Sequence, residues 1–116
     1  MVELNGEIGQ ITSPGYPKQY EDSLECEYRI TVGLNDRIKI EFEDFETEEE
    51  YDWLEIYDGD STNATSLGKF SGNLSRQSIN TISNKLFVKF ITDESTSFRG
   101  FKLNYSTLKD QGKNIF

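Results

Sequence analysis

Histidine is absent from all 116 residues, and that one gap removes several chemistries at once. Neither a Ser-His-Asp nor a Cys-His nucleophile can be assembled, and a histidine-ligated zinc centre is equally out of reach. Cysteine is nearly absent too. Cys26 stands alone, so no disulfide can close within the chain. On its own, a solitary thiol points mildly to a reducing compartment. Positive charge is scarce: 12 basic residues face 21 acidic ones, a net charge of −9, and no basic stripe exists to hold a phosphate backbone. That excludes nucleic acid and favours cations or basic partner surfaces. No apolar stretch approaches the ~20 residues that span a bilayer. The residues after Met1, Val2 to Gly6, have neither the basic start nor the apolar run of a secretory leader. Helical periodicity, internal repeats, linkers and low-complexity tracts are missing as well.

What the chain does have is bulky apolar material in a period of two. Eight Phe, six Tyr and one Trp supply a core despite a hydrophobic content of only 34%. Cys26, Tyr28, Ile30 and Val32 fall on one face of a strand. Ile38, Ile40 and Phe42 do the same, with Lys39 and Glu41 pointing away. Leu86, Val88 and Phe90 repeat the pattern, as do Phe101, Leu103 and Tyr105. Turn-rich clusters separate these runs: Ser13-Pro14-Gly15-Tyr16-Pro17, Gly33-Leu34-Asn35-Asp36, Asp58-Gly59-Asp60-Ser61 and Ser71-Gly72-Asn73. Many short strands and frequent turns predict one all-β domain, a sandwich or barrel of antiparallel sheets, over residues 1–106. Residues 107–116 lack alternation and are expected to form a polar, fraying tail.

One stretch carries concentrated charge. Glu46, Glu48, Glu49, Glu50 and Asp52 place five acids in seven positions. A run of this kind is usually a solvated loop. Parity singles out one member, because Asp52 shares its strand face with Leu54 and Ile56 and should point inward. A carboxylate at that position needs a partner, since burying an unpaired charge is expensive. Calcium, with roughly six to eight oxygen ligands and flexible geometry, is a suitable one. Elsewhere, Trp53, Tyr51 and Tyr57 share one strand face and read first as sheet packing, with an exposed sugar-binding patch as the alternative. Cys26 reads as a small buried hydrophobe. Three sequons, Asn63-Ala-Thr, Asn73-Leu-Ser and Asn104-Tyr-Ser, offer glycosylation sites and weigh against the reducing compartment.

Several segments, in order, resemble the CUB domains of complement proteases, tolloid-type metalloproteases and neuropilins. They are residues 9–17 (GQITSPGYP), 26–30 (CEYRI), 42–48 (FEDFETE), 51–59 (YDWLEIYDG), 67–72 (LGKFSG), 92–95 (TDES) and 100–105 (GFKLNY), and they cover nearly the whole chain. The resemblance implies a two-sheet, jelly-roll-like β-sandwich that acts as an extracellular binding module and not as an enzyme. It also implies a calcium site made by Glu48, Asp52 and Asp93 with a backbone carbonyl near Ser95, and a hydrogen bond from Tyr20 into that cluster. The chain departs from the family in three ways. Glu49 and Ser71 stand where the family carries a disulfide pair, Cys26 lacks its usual partner near the amino terminus, and the loop from Glu48 to Asp52 is short. Glu46, Glu49 or Glu50 therefore compete with Glu48 as ligand.

The leading functional expectation is a calcium-dependent protein-interaction module that binds a partner's Lys or Arg through Tyr20, Glu48, Asp52 and Asp93. Glycan adhesion is the alternative, and a structural spacer the third reading. Catalysis by a carboxylate pair is set aside, because the acids crowd one loop with no sign of a cleft.

Overall fold

The alternating segments all become strands in a computed structural model that describes residues 1–109. In chain order they are β1 (Val2–Leu4), β2 (Ile8–Thr12), β3 (Glu25–Thr31), β4 (Arg37–Glu46), β5 (Trp53–Asp58), β6 (Thr65–Phe70), β7 (Ser78–Asn80), β8 (Lys85–Ile91) and β9 (Gly100–Leu108). They form a five-stranded sheet in the order β1-β3-β8-β5-β6 and a four-stranded sheet in the order β2-β9-β4-β7. Among the described residues there is no helix, and hence none long and apolar enough to cross a membrane.

The inward residues of both sheets meet in one core. Ile30, Ile38, Ile40, Phe45, Leu54, Ile56, Leu86, Val88, Phe90, Phe101 and Leu103 have no exposed surface at all. Each such side chain contributes on the order of 1.5–3 kcal/mol by leaving water. The aromatic rings interlock, with Phe90 edge-on to Phe101 across the sandwich at 4.9 Å and Phe42 stacked on Phe45 within β4 at 5.4 Å. That last pair breaks a strict period of two, which would send Phe45 to the surface. A bulge between Phe42 and Asp44 adds a residue to β4, keeping both rings inside and turning Asp44 outward.

Two details differ from the expectation. The sheets are antiparallel except at one edge, where three-residue β1 runs parallel to β3 (Val2 opposite Tyr28). The chain leaves β1 for β2 in the other sheet before it returns as β3, and such a crossover allows parallel pairing. The last strand also passes the expected boundary at residue 106. Thr107 lies opposite Ile38 and Leu108 opposite Arg37, and the Thr107 N–H donates to the Glu7 carbonyl at 2.9 Å. Backbone pairing needs no alternation of side chains, so the polar sequence there concealed it. Residues 110–116 of the expected tail lie outside the described residues.

Cys26 lies opposite Phe90, half-buried, and burial pushes its thiol pKa up, so it behaves as a small hydrophobe. Where the resemblance implied a disulfide, hydrogen bonds join the same two segments. Glu50 N–H donates to Ser71 Oγ at 2.9 Å, Thr47 N–H to the Gly72 carbonyl at 2.9 Å, and Gly72 N–H to Thr47 Oγ1 at 3.1 Å. Gly72, beside Glu49, adopts φ 89°, a left-handed conformation that favours glycine.

Candidate metal centre

The carboxyl end of β4, the start of β5 and the end of β8 lie together at one end of the sandwich. Each contributes one acid: Glu48 just past β4, Asp52 just before β5 and Asp93 just past β8. One carboxylate oxygen from each lies within 4.8 Å of the others. Asp52 is fully buried, as its parity with Leu54 and Ile56 demanded. The loop between Glu48 and Asp52 closes tightly, with the Glu48 carbonyl accepting from Tyr51 N at 3.2 Å and Asp52 N at 3.0 Å, and Glu50 at φ 68°.

Tyr20 is the wall of this site. It is 2% exposed, stands edge-on to Phe90 at 5.2 Å, and donates its hydroxyl to Asp52 Oδ2 at 2.5 Å. The same hydroxyl oxygen accepts from Glu48 N at 3.1 Å, so one ring fixes two of the three acidic positions. Asp52 Oδ1 accepts from Asp93 N at 2.8 Å, joining the third. Burial and the bond to Asp52 hold the Tyr20 phenol well above its usual pKa, against the Glu48 N–H, which lowers it. Ser95 is exposed, and its N–H donates to Asp93 Oδ1 at 3.3 Å.

The electrostatics are those of a site short of positive charge. Burial raises the pKa of Asp52, opposed in part by the bonds from Tyr20 and Asp93 N. Burial also raises Glu48, and the charges of Asp93, Asp52 and Asp22 add to the rise. Glu48 Oε1 is a buried oxygen without a hydrogen-bond partner, the single case among the described side chains. Native proteins rarely leave such an atom unmatched. A hard divalent cation fits this donor set, which is all carboxylate oxygen. The competing acids are placed otherwise: Glu46 gives its carboxylate to Arg99, Glu49 lies against Gly72, and Glu50 is exposed.

A second acidic cluster escaped the sequence reading. Arg99 binds Asp44 through Nε at 2.7 Å and NH2 at 2.5 Å, and Glu46 through NH1 at 2.5 Å. Tyr16 donates its hydroxyl to Asp44 Oδ2 at 2.6 Å, which helps push its own pKa up to about 12. Just beyond, Gly100 adopts φ 90° with the Ser13 side chain where a Cβ would sit, so no other residue fits. The sequence signal was the lone Arg99 beside that glycine, but its partners lie 55 and 53 residues away.

The aromatic patch resolves differently from a sugar platform. Lys69 Nζ sits 4.5 Å above the Trp53 ring, Tyr57 packs beside Phe87 and donates to Glu55 at 2.7 Å, and Tyr51 lies outside β5, 62% exposed. Asp58, expected only as a turn residue, accepts from Ile82 N, Ser83 N and Ser83 Oγ.

A family model described as CUB domain matches residues 2–105. Tolloid-like protein 2 of Mus musculus is 37% identical over 107 residues, 89% of this chain but 11% of that protein. Cubilin of Homo sapiens is 37% identical over 109 residues, covering 90% of the chain and 3% of that protein. The chain thus spans about a tenth or less of these relatives. Among solved structures, the MASP-1 CUB2 domain bound to Ca2+ superposes with a TM-score of 0.81 and 32% identity, over 90% of this chain and 96% of that one. The extracellular region of zebrafish Gpr126 gives a TM-score of 0.84 and 30% identity, over 94% of this chain and 15% of that one.

Proposed function

The chain belongs to the CUB domain family, and on that premise we propose that it is an extracellular, calcium-dependent module that binds a basic side chain of a partner protein at its acidic end. The observation that carries this reading is the convergence of Glu48, Asp52 and Asp93 within 4.8 Å around a buried, unpartnered Glu48 oxygen. Three carboxylates so placed repel one another, and a basic side chain alone would neutralise only part of that charge. Glu48, Asp52 and Asp93 would hold the ion, with a backbone carbonyl near Ser95 and water completing the shell. Bound calcium supplies the positive charge that lets all three acids stay ionised together.

The chain's own residues do the rest. Tyr20 fixes Asp52 and the backbone of Glu48, so two of the acids are positioned before any ligand arrives. Carboxylate oxygen left at the rim then accepts from a partner's ammonium or guanidinium, a charge-assisted bond worth about twice a neutral one. A shallow groove lined by Leu24, Glu25, Thr92, Asp93 and Glu94 adjoins the site and adds negative charge around such a side chain. Sugar binding is the weaker reading, because Lys69 already covers the Trp53 face that a sugar ring would need.

Calcium titration followed by thermal melting tests the reading. An affinity on the order of 10⁻⁴ to 10⁻³ M is expected, as in extracellular modules. At a hundredfold excess over Kd the native state should gain about 2.7 kcal/mol. Identical melting in chelator and in calcium at that hundredfold excess, ~10–100 mM over this range of Kd, would remove the calcium site and the binding mode built on it.

A further inference from the structure

The three sequons share a structural pattern that the sequence alone does not reveal. A strand sends successive side chains to opposite faces, so Asn-X-Ser/Thr in extended chain puts the asparagine and the hydroxyl outside and the middle residue inside. Tyr105 between Asn104 and Ser106 is 3% exposed and belongs to the core. Leu74 between Asn73 and Ser75 packs against that core. Ala64 between Asn63 and Thr65 is half-buried with both neighbours exposed, although there the chain is in the turn before β6 and not extended. All three asparagines can thus carry a bulky group without disturbing the residues that hold the fold.

Two of the three share one face. Asn104 lies on β9 in the middle of the four-stranded sheet and reaches Glu43 on its outer face at 2.9 Å. Asn73 is exposed and pairs with Glu46, whose carboxylate meets Arg99 on that same outer face. Residues opposite one another in an antiparallel pair project to one side, so Asn73 joins Asn104 there. The two stand four rungs of the β4–β9 ladder apart, roughly 13 Å along the strands, because Asn104 is opposite Glu41, Asn73 is opposite Glu46, and the bulge takes up one residue of β4. Asn63 lies at the far end of the sandwich, in the turn between β5 and β6. Apart from Thr65, which ends the Asn63 sequon and opens β6, no sequon residue lies on a strand of the five-stranded sheet, whose outer face shows Trp53, Lys69 and Lys89 beside Ile91, 41% exposed. The acidic groove opens onto that bare side and shares Ile91 with it.

We propose that Asn63, Asn73 and Asn104 carry N-linked glycans, that the outer face of the four-stranded sheet is thereby covered with sugar, and that a partner reaches the acidic end from the five-stranded side. This rests on the extracellular and partner-binding parts of the reading above and not on calcium. N-linked sugar is bulky and hydrated, so a strand face that bears two chains is closed to protein contact.

The chain, secreted from a mammalian host that makes high-mannose glycans, should show all three asparagines occupied by glycopeptide mass spectrometry. Secreted protein with Asn73 or Asn104 bare would overturn the proposal. A second measurement addresses the one-sidedness, with carboxylates labelled by carbodiimide in chelator before and after trimming each glycan to its first sugar. Glu41 and Glu43 should gain labelling severalfold on trimming, while Glu25 and Glu94 stay constant. Equal gains at Glu25 and Glu94, or none at Glu41 and Glu43, would sink it. Because the labelling is done without calcium, failure of the calcium site would leave this result intact.

Discussion

The segment between β8 and β9 is held at each end by carboxylates, and the two ends obey opposite electrostatics. At its start, Asp93 joins Glu48 and Asp52, none of which forms a salt bridge among the described residues, and burial raises the pKa of Glu48 and Asp52. At its finish, Arg99 pairs with Asp44 and Glu46, and the guanidinium holds the Asp44 carboxyl below its usual range. Both clusters contain a tyrosine hydroxyl on an aspartate, Tyr20 on Asp52 and Tyr16 on Asp44, so hydrogen bonding does not separate them. The difference is the countercharge. Among the described residues an arginine meets one pair of acids and no salt bridge meets the other three, and the proposed cation would supply that missing charge.

The sharpest break of that contrast is Asp52→Ala. It strips the acceptor from both Tyr20 hydroxyl and Asp93 N–H inside a buried site. Each orphaned group costs ~1–3 kcal/mol. A loss of about 3 kcal/mol and of the whole calcium response is expected in thermal melts. Asp52→Asn keeps an acceptor and sheds the charge, so in chelator it should melt near or above wild type while still ignoring calcium. An Asn variant that lost as much stability as the Ala variant would show that the charge is not what strains the site.

Arg99→Ala should cost less. Its partners are half-exposed, with Asp44 and Glu46 side chains at 22% and 26%, so water can take over part of the role. About 1 kcal/mol is expected from urea denaturation, with the calcium shift retained because Arg99 pairs with Asp44 and Glu46 and not with Glu48, Asp52 or Asp93. Abolition of the shift would mean that the two ends of the segment act as one unit.

Acid titration should pull the clusters apart. Asp52 and Glu48 bind protons more tightly folded than unfolded, so in chelator stability rises as pH falls from 7 toward the ordinary carboxylate value of ~4. Asp44 has the opposite sign. Its contribution is present above its unfolded pKa and disappears as pH falls through its lower folded one, so stability turns down at the acid end. Calcium should erase the rise, since protons then compete with the ion. Melting temperature against pH, with and without chelator, reads both branches, and a monotonic fall from pH 7 in chelator would contradict the assignment. The smallest expected effect is that of Asp60→Ala in the exposed β5–β6 turn, within about 0.5 kcal/mol and with the calcium shift unchanged.

Much of this was legible in advance where a residue's own neighbours decide its fate. The buried position of Asp52 followed from its spacing to Leu54 and Ile56, and those three share a face in the structure. Glu48 and Asp93 were named through resemblance, and the fold brings them to Asp52. The choice among Glu46, Glu48, Glu49 and Glu50 was not legible, because it turns on Arg99 and Gly72, far along the chain. The Tyr16–Asp44–Arg99 cluster was missed for the same reason. It depends on the bulge that turns Asp44 outward, and a one-residue insertion in a strand leaves no mark in an alternation that simply resumes.

By itself the sequence determined the all-β class, the inward residues of the main strands, the exclusion of histidine chemistry and the surplus of negative charge. Those are properties of composition and of a period-two pattern, which a strand converts directly into faces. Tertiary structure alone decided which acids meet, which of them receives an arginine, how the edge strand β1 pairs, and on which face the sequons fall. Each of these depends on contacts between segments tens of residues apart, where the energy lies in how two surfaces fit and not in either one alone.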